Sequence, residues 1–217
     1  MAIKPILFNT EMVRAILDGR KSCTRRLVKV PPYYPNFYKL HDNTDGALSG
    51  TRNRLYAGFY KDEQIFYIDG ERHVDAVYYQ APYQQDDILY VQETWYKDKY
   101  RYMYRANYSE NEKFYRGDVE EKVKWNPSIH MPKEAARIWL KVMDVRVERL
   151  QDITSEQICK EGVEVEEPYV LNGEEKRYDF SNLWNSTIKK SDFDRYGWNA
   201  NPWVWVIEFE RCEKPEG

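Results

Sequence analysis

The sequence has little cysteine, little histidine and no long apolar run. Cys23, Cys159 and Cys212 are scattered over 217 residues. An odd, scattered set implies no disulfide framework and suits a reducing cytoplasm. His41, His73 and His130 form no HxxxH or CxxC spacing, so neither a metal nor a cofactor is expected. No stretch approaches the roughly 18–20 apolar residues that span a bilayer. Met1-Ala2-Ile3-Lys4-Pro5 does not read as a secretory leader, and no membrane partner is expected. GxGxxG, Walker and GxSxG patterns are missing, which removes the usual support for nucleotide-hydrolase and serine-hydrolase chemistry. A formal net charge of −3 excludes coating of nucleic acid by bulk charge.

What is abundant is aromatic: 16% of the chain, with 19 Tyr, 8 Phe and 7 Trp. Length and composition suit one globular domain, 1–217, with insertions near 31–85 and 106–122. Charge is uneven. Residues 1–62 hold 11 cations (Lys4, Arg14, Arg20, Lys21, Arg25, Arg26, Lys29, Lys39, Arg52, Arg54, Lys61) against 5 acids (Glu11, Asp18, Asp42, Asp45, Asp62). That asymmetry suits a focused basic site.

Local patterns predict the elements. Pro5–Phe8 reads as a strand, and Asn9 caps a helix whose stripe is Met12, Val13, Ile16 and Leu17, ended by Gly19. Strands follow near 22–29, 87–95, 138–149 and 202–210, with a bulge near Met143-Asp144 that re-registers Val145 and Val147. Residues 31–63 show no periodicity and read as a long loop or one hairpin. Asp69-Gly70 signals a hairpin turn. Thr154-Ser-Glu-Gln157 is a capping box for a short helix ending at Gly162. Phe180, Leu183, Trp184 and Ile188 have helical spacing. The expected fold is α+β, mainly β: a curved sheet or small barrel with a few short helices and loop insertions.

Four constellations can carry chemistry. Gly19-Arg20-Lys21-Ser22-Cys23-Thr24-Arg25-Arg26 concentrates four cations at a helix-to-strand junction. In an extended strand Ser22, Thr24 and Arg26 share one face, and Cys23 and Arg25 take the other. The alternatives are a solvated basic turn or a local site, with Cys23 as core filler. Gln92-Glu93-Thr94-Trp95 ends an apolar strand with a carboxylate, which wants a partner: a salt bridge to Arg25 or Arg26, or a site with Lys21. Trp125-Asn-Pro-Ser-Ile-His-Met-Pro132 holds His130 between prolines, either as a loop pin or as a titrating group. Trp198-Asn-Ala-Asn-Pro-Trp203 sets Asn201 and Trp203 beside one another, which suits a planar heterocycle or an ordinary packed turn.

Gly19-x-Lys21-x-x-Thr24-x-Arg26 after a short helix resembles the signature of the ASCH domain (activating signal cointegrator homology) of the PUA-like superfamily. The set Pro5-Ile-Leu-Phe8, Val91-Gln-Glu-Thr-Trp95, Trp125–Pro132, Val145–Ile153 and Asn201–Trp205 is similar to a phage and prophage branch of that family. The resemblance implies a PUA-like β-barrel with a cleft at its mouth, and a link to RNA or modified nucleobases. One branch of small ASCH proteins deacetylates N4-acetylcytidine with a Lys, a Thr and a Glu. Lys21 and Thr24 match that motif, and Glu93 is the positional counterpart of the Glu. Nuclease activity has also been attributed to an ASCH protein.

Three functions follow, in order of preference. The first is binding of RNA or a modified nucleobase in a basic, aromatic-lined cleft, with Arg20, Arg25, Arg26, Trp95, His130, Asn201 and Trp203 as contacts. The second is amide hydrolysis on an N4-acylated cytidine, with Lys21 as a depressed-pKa base, Thr24 as nucleophile or water anchor and Glu93 as proton shuttle. The third is a phage protein that binds a host protein through its Tyr-rich insertions.

Overall fold

The computed structural model describes residues 2–29, 36–42, 55–68, 71–116, 119–163 and 174–216. The chain opens with β1 (Ile3–Leu7), α1 (Thr10–Leu17) and β2 (Cys23–Leu27). Asn9 caps α1 by accepting from the Met12 amide at 2.8 Å, and Gly19, at φ +76°, releases the chain from it. β3 (Asn36–Asp42), β4 (Leu55–Ile68) and β5 (Glu71–Gln80) form a three-stranded antiparallel sheet. Next come β6 (Ile88–Gln92), the ribbon β7 (Trp95–Lys97) and β8 (Tyr102–Tyr104), and the ribbon β9 (Phe114–Arg116) and β10 (Val119–Glu121). β11 (Trp139–Arg149), α2 (Ser155–Lys160), α3 (Glu174–Thr187), α4 (Phe193–Tyr196) and β12 (Trp203–Cys212) complete the order.

The five strands expected from the sequence form one mixed sheet, in the order β1-β6-β11-β12-β2. β1 runs parallel to β6, and the other pairs are antiparallel. β12 is central and apolar on both faces, so Val204, Trp205, Val206 and Ile207 are all buried. The register between β11 and β12 slips between Val142 and Asp144. This bulge returns both Val142 and Val145 to the same core, as the switch in alternation predicts.

One face of the sheet carries Ile6, Leu89, Leu140, Trp205 and Ile207. It packs on Val13 and Ile16 of α1 and on Phe59 of the three-stranded sheet. The other face carries Cys23, Val204 and Val206 and packs on α2 and on Phe180 and Trp184 of α3. β2 and β12 therefore run between two hydrophobic layers, and β2 forms the outer edge.

The structure corrects one expectation and bears out another. The sheet is not a closed barrel, because β1 and β2 do not pair as strands. Their ends are bridged by side chains: Arg26 Nη2 donates to the Leu7 carbonyl at 2.9 Å, and its guanidinium lies 5.3 Å from the Phe8 ring centroid. Segment 31–63 carries the single hairpin that its reading allowed, β3 paired antiparallel with β4. It supplies β3 and most of β4. Register shifts between Phe37 and Lys39, and between Tyr60 and Ile65, break the period-2 signal that would have announced those strands. The expected Asp69-Gly70 turn and Pro31-Pro32 stop lie outside the described residues.

Candidate functional site

The junction of α1 and β2 is built by backbone bonds. The amides of Arg20 and Lys21 both donate to the Ala15 carbonyl, at 2.8 and 3.0 Å. The Ser22 amide donates to Lys160 at 2.9 Å, which draws the end of α2 against the start of β2. The capping box of Thr154 and Gln157 fixes the start of α2, and Gly162 at φ +83° ends it. Glu161, between helix and glycine, is thereby delivered to Lys21.

Lys21, 3% exposed, spends all three of its protons inside the protein. Nζ donates to Cys23 O at 2.7 Å, Glu161 O at 2.9 Å and Glu161 Oε2 at 2.7 Å. Arg25, equally buried, donates to Glu161 Oε1 at 3.1 Å, Gln157 Oε1 at 3.1 Å and Glu148 Oε2 at 3.3 Å. One carboxylate thus sits between two cations. A buried pair holds only when its remaining bonding groups are also satisfied, and Lys21 meets that condition.

Burial pushes the Lys21 ammonium below the ordinary lysine range, against the pull of Glu161. Burial raises the Cys23 thiol to about 12, so Cys23 is packing rather than nucleophile. Burial also lowers the Arg26 guanidinium, with Glu161 opposing.

The charge network is polarised. At its far end Arg146 meets three acids, Asp144, Glu148 and Glu208. At the near end Lys21, Arg25 and Arg26 gather around Glu161, and Glu148 joins the two ends by bonding both Arg25 and Arg146.

Beside this near end lies a cavity of about 220 Å³ along the outer edge of β2. Its polar side is Thr24, Arg25, Arg26 and Glu161. Its apolar side is Met12 of α1, Leu27, Phe180, Leu183 and Trp184 of α3, and Ile188 beyond it, with Thr187 at the end of α3. Register explains the placement. The Val28 amide donates to Trp203 O and the Phe209 amide to Ser22 O, so even-numbered β2 residues bond inward to β12. The peptide groups of Arg25 and Leu27 face the outer edge. Thr24 is 1% exposed, and its Oγ1 accepts from Arg26 Nη1 at 3.1 Å, which leaves the hydroxyl proton for another acceptor.

Of the residues singled out from sequence, Lys21, Thr24, Arg25 and Arg26 are brought together. Lys21 and Arg25 are buried and matched to carboxylates, so they do not form a surface patch for phosphates. Arg20 bonds Asp18 and the Gly162 carbonyl. Glu93, 1% exposed, takes Arg137 as its cation, in a two-pronged pair at 2.8 and 2.9 Å. Arg137 lies over Tyr104, 4.1 Å from its centroid. Trp95 sits in the β7–β8 ribbon against Tyr102, and His130 is exposed in a short turn. Asn201 is a packed turn at φ 45°, with Oδ1 accepting from the Gln151 amide at 2.8 Å. Trp203 packs on Phe59 and under Arg149. None of Arg20, Lys21, Glu93, Trp95, His130, Asn201 and Trp203 lines the cavity, and Lys21 stands behind it, bonded to Glu161.

Sequence reasoning missed Glu161. A signal existed: a carboxylate at a helix C-terminus opposes the helix dipole and needs cations nearby. Phe180, Leu183, Trp184 and Ile188 were legible as one helix face but not as a cavity wall. Among the described residues no cluster of His, Cys, Asp and Glu suits a metal ion, and no helix is long and apolar enough to cross a membrane. No protein-family model, curated protein or solved structure matches the chain.

Proposed function

We propose that the chain is an ASCH-type, PUA-like module that binds a single nucleobase or nucleoside, free or splayed from RNA, in the cavity beside β2. The observation that carries this reading is the make-up of that cavity. Flat rings of Phe180 and Trp184 stand on one side, and Thr24, Arg26 and Glu161 on the other. An apolar wall with a few convergent polar groups is the usual form of a small-ligand site. At about 220 Å³ it falls below the ~300 Å³ lower end for drug-sized ligands, which suits a base or nucleoside. Glu161 keeps one lone pair on each oxygen after binding Lys21 and Arg25, enough to accept from an exocyclic amine. The Thr24 hydroxyl donates to a ring nitrogen or carbonyl.

The test is calorimetric titration with cytidine, N4-acetylcytidine, uridine, adenosine and guanosine, followed in parallel by tryptophan fluorescence. At least one nucleoside should bind in the micromolar range. Thr24→Val should weaken it roughly tenfold, the cost of one lost hydrogen bond in a dry site. If no nucleoside binds at millimolar concentration, the reading fails.

Hydrolysis of an N4-acyl amide is the second reading. It draws on a Lys whose affinity for its proton is depressed and on a carboxylate that lines the cavity. In that case Glu161 takes the proton-shuttle role assigned from sequence to Glu93. Chromatography of the N4-acetylcytidine incubations decides between them: released cytidine and acetate mean turnover.

A further inference from the structure

Arg26 lines the cavity, yet among the described residues no carboxylate pairs with it. Its donors go to neutral oxygens: both Nη1 protons to Thr24 Oγ1 and Arg25 O, and one Nη2 proton to Leu7 O. A guanidinium has five N–H groups, so Nε–H and the second Nη2 proton make no bond within the described protein. Those two atoms share one carbon, and together they can present the fork that an oxyanion takes. Arg25, in the same lining, also holds an unmet donor: its Nε is buried and unpaired.

Charge points the same way. Around the cavity Lys21 and Arg25 are bonded to Glu161, and Arg25 also reaches Glu148, so among the described residues Arg26 is the one of the three cations that no carboxylate pairs. Glu148 is shared with Arg146, which also holds Asp144 and Glu208 at the far end of the network. A partly buried cation without a counter-ion is costly, and burial already weakens the hold of Arg26 on its proton.

We propose that the ligand is an anion, a nucleoside monophosphate, whose terminal phosphate bonds Arg26 through Nε and Nη2 while its base lies against Phe180 and Trp184. A phosphate monoester carries close to two negative charges at neutral pH, and among the described residues Arg26 is the cation of this cluster that has no carboxylate to meet it. This rests on the nucleobase reading and sharpens it. The ligand is a free or terminal nucleotide, whose monoester phosphate offers three unesterified oxygens to the fork.

The experiment compares cytidine, cytidine 5′-monophosphate and inorganic phosphate by calorimetry at 25 and 300 mM KCl. The nucleotide should bind at least tenfold more tightly than cytidine at low salt, and the gap should narrow at high salt. Phosphate should compete with the nucleotide. Arg26→Gln and Arg26→Lys should each collapse the nucleotide-to-nucleoside ratio toward one, since lysine keeps the charge but not the fork. Arg26 also ties β1 to β2, so the wild-type comparison stands by itself if the variants fail to fold. Equal affinity for cytidine and its monophosphate overturns the inference and leaves the nucleoside reading intact. Binding of nucleotide and phosphate without any nucleoside supports the anion site and overturns the base contact. No binding of any of the three overturns both.

Discussion

Gly162 stands against Ala15 with no room for a side chain: an added Cβ would lie 2.7 Å from Ala15 Cβ and 3.0 Å from Lys21 Cβ. The close approach is what lets the end of α2 deliver Glu161 to the ammonium. Gly162→Ala adds a left-handed backbone penalty to a core clash, so it should destabilise the fold by about 2–4 kcal/mol in urea unfolding. Gly19→Ala is the control. It has a similar φ but open space, and should cost only about 1–2 kcal/mol. Equal losses at the two positions would refute the close-packing argument.

The carboxylate between Lys21 and Arg25 should matter more than either cation. Glu161→Gln leaves the buried Lys21 without a carboxylate and Arg25 with Glu148 alone, and should cost ~3–5 kcal/mol. Lys21→Met leaves Glu161 its Arg25 contact and should cost less. In a double-mutant cycle, the pair should lose less than the sum of the singles. Additive losses would show that the two residues do not act as one unit.

Glu93 and Arg137 offer a second asymmetric pair. Arg137→Met leaves a 1%-exposed carboxylate without its cation and should destabilise by ~3 kcal/mol or more. Glu93→Gln keeps a hydrogen-bonding partner for Arg137, whose side chain still reaches water, and should cost about half as much. Thermal unfolding of the two variants side by side checks the order.

Thiol chemistry should separate the three cysteines. Cys159 is exposed and should be alkylated readily in the native protein, Cys212 more slowly, and Cys23 only after unfolding. Mass spectrometry of partially labelled protein reads the order directly.

Cys23 also makes the stability fall at alkaline pH. Its thiol titrates near 9.0 when unfolded and about 12 when folded, so above pH 9 the unfolded chain gives up its proton first. The contribution is fully present below pH 9 and declines by ~1.4 kcal/mol per pH unit toward 12. Lys21, lowered on folding, acts in the opposite sense below its ordinary 10.5. Comparison with Cys23→Ala isolates the thiol. Wild type should lose stability more steeply between pH 9 and 10.5, and parallel curves would count against this assignment.

Much of the sheet was legible because its signals are local. Asn9, Gly19 and the Met12–Leu17 stripe define α1 without reference to anything distant, and the alternation from Ile138 announces both β11 and its bulge. The site was legible only in half. The Lys21-to-Arg26 segment reads as a cluster, but charge counting cannot tell an exposed cation from one matched internally. Glu93 was rightly expected to need a cation. Its choice of Arg137, 44 residues away, over the basic strand is a tertiary outcome that no spacing encodes. The second part of β4 is legible before Asp69-Gly70, while the bounds of β3 and of the first part of β4 are hidden by their own irregular register.

The position of β2 in the sheet has a consequence for how the protein is made. Among the described residues β2 pairs with β12 alone, and Lys21 meets Glu161 across 140 residues. On a ribosome adding ~5–20 residues per second, the cationic strand waits on the order of ten to forty seconds for its partners. Through that interval Lys21, Arg25 and Arg26 lack the burial that defines them, and the cavity does not exist. The site is complete only once β12 has been made, so its ligand can meet only a chain that has been synthesised that far.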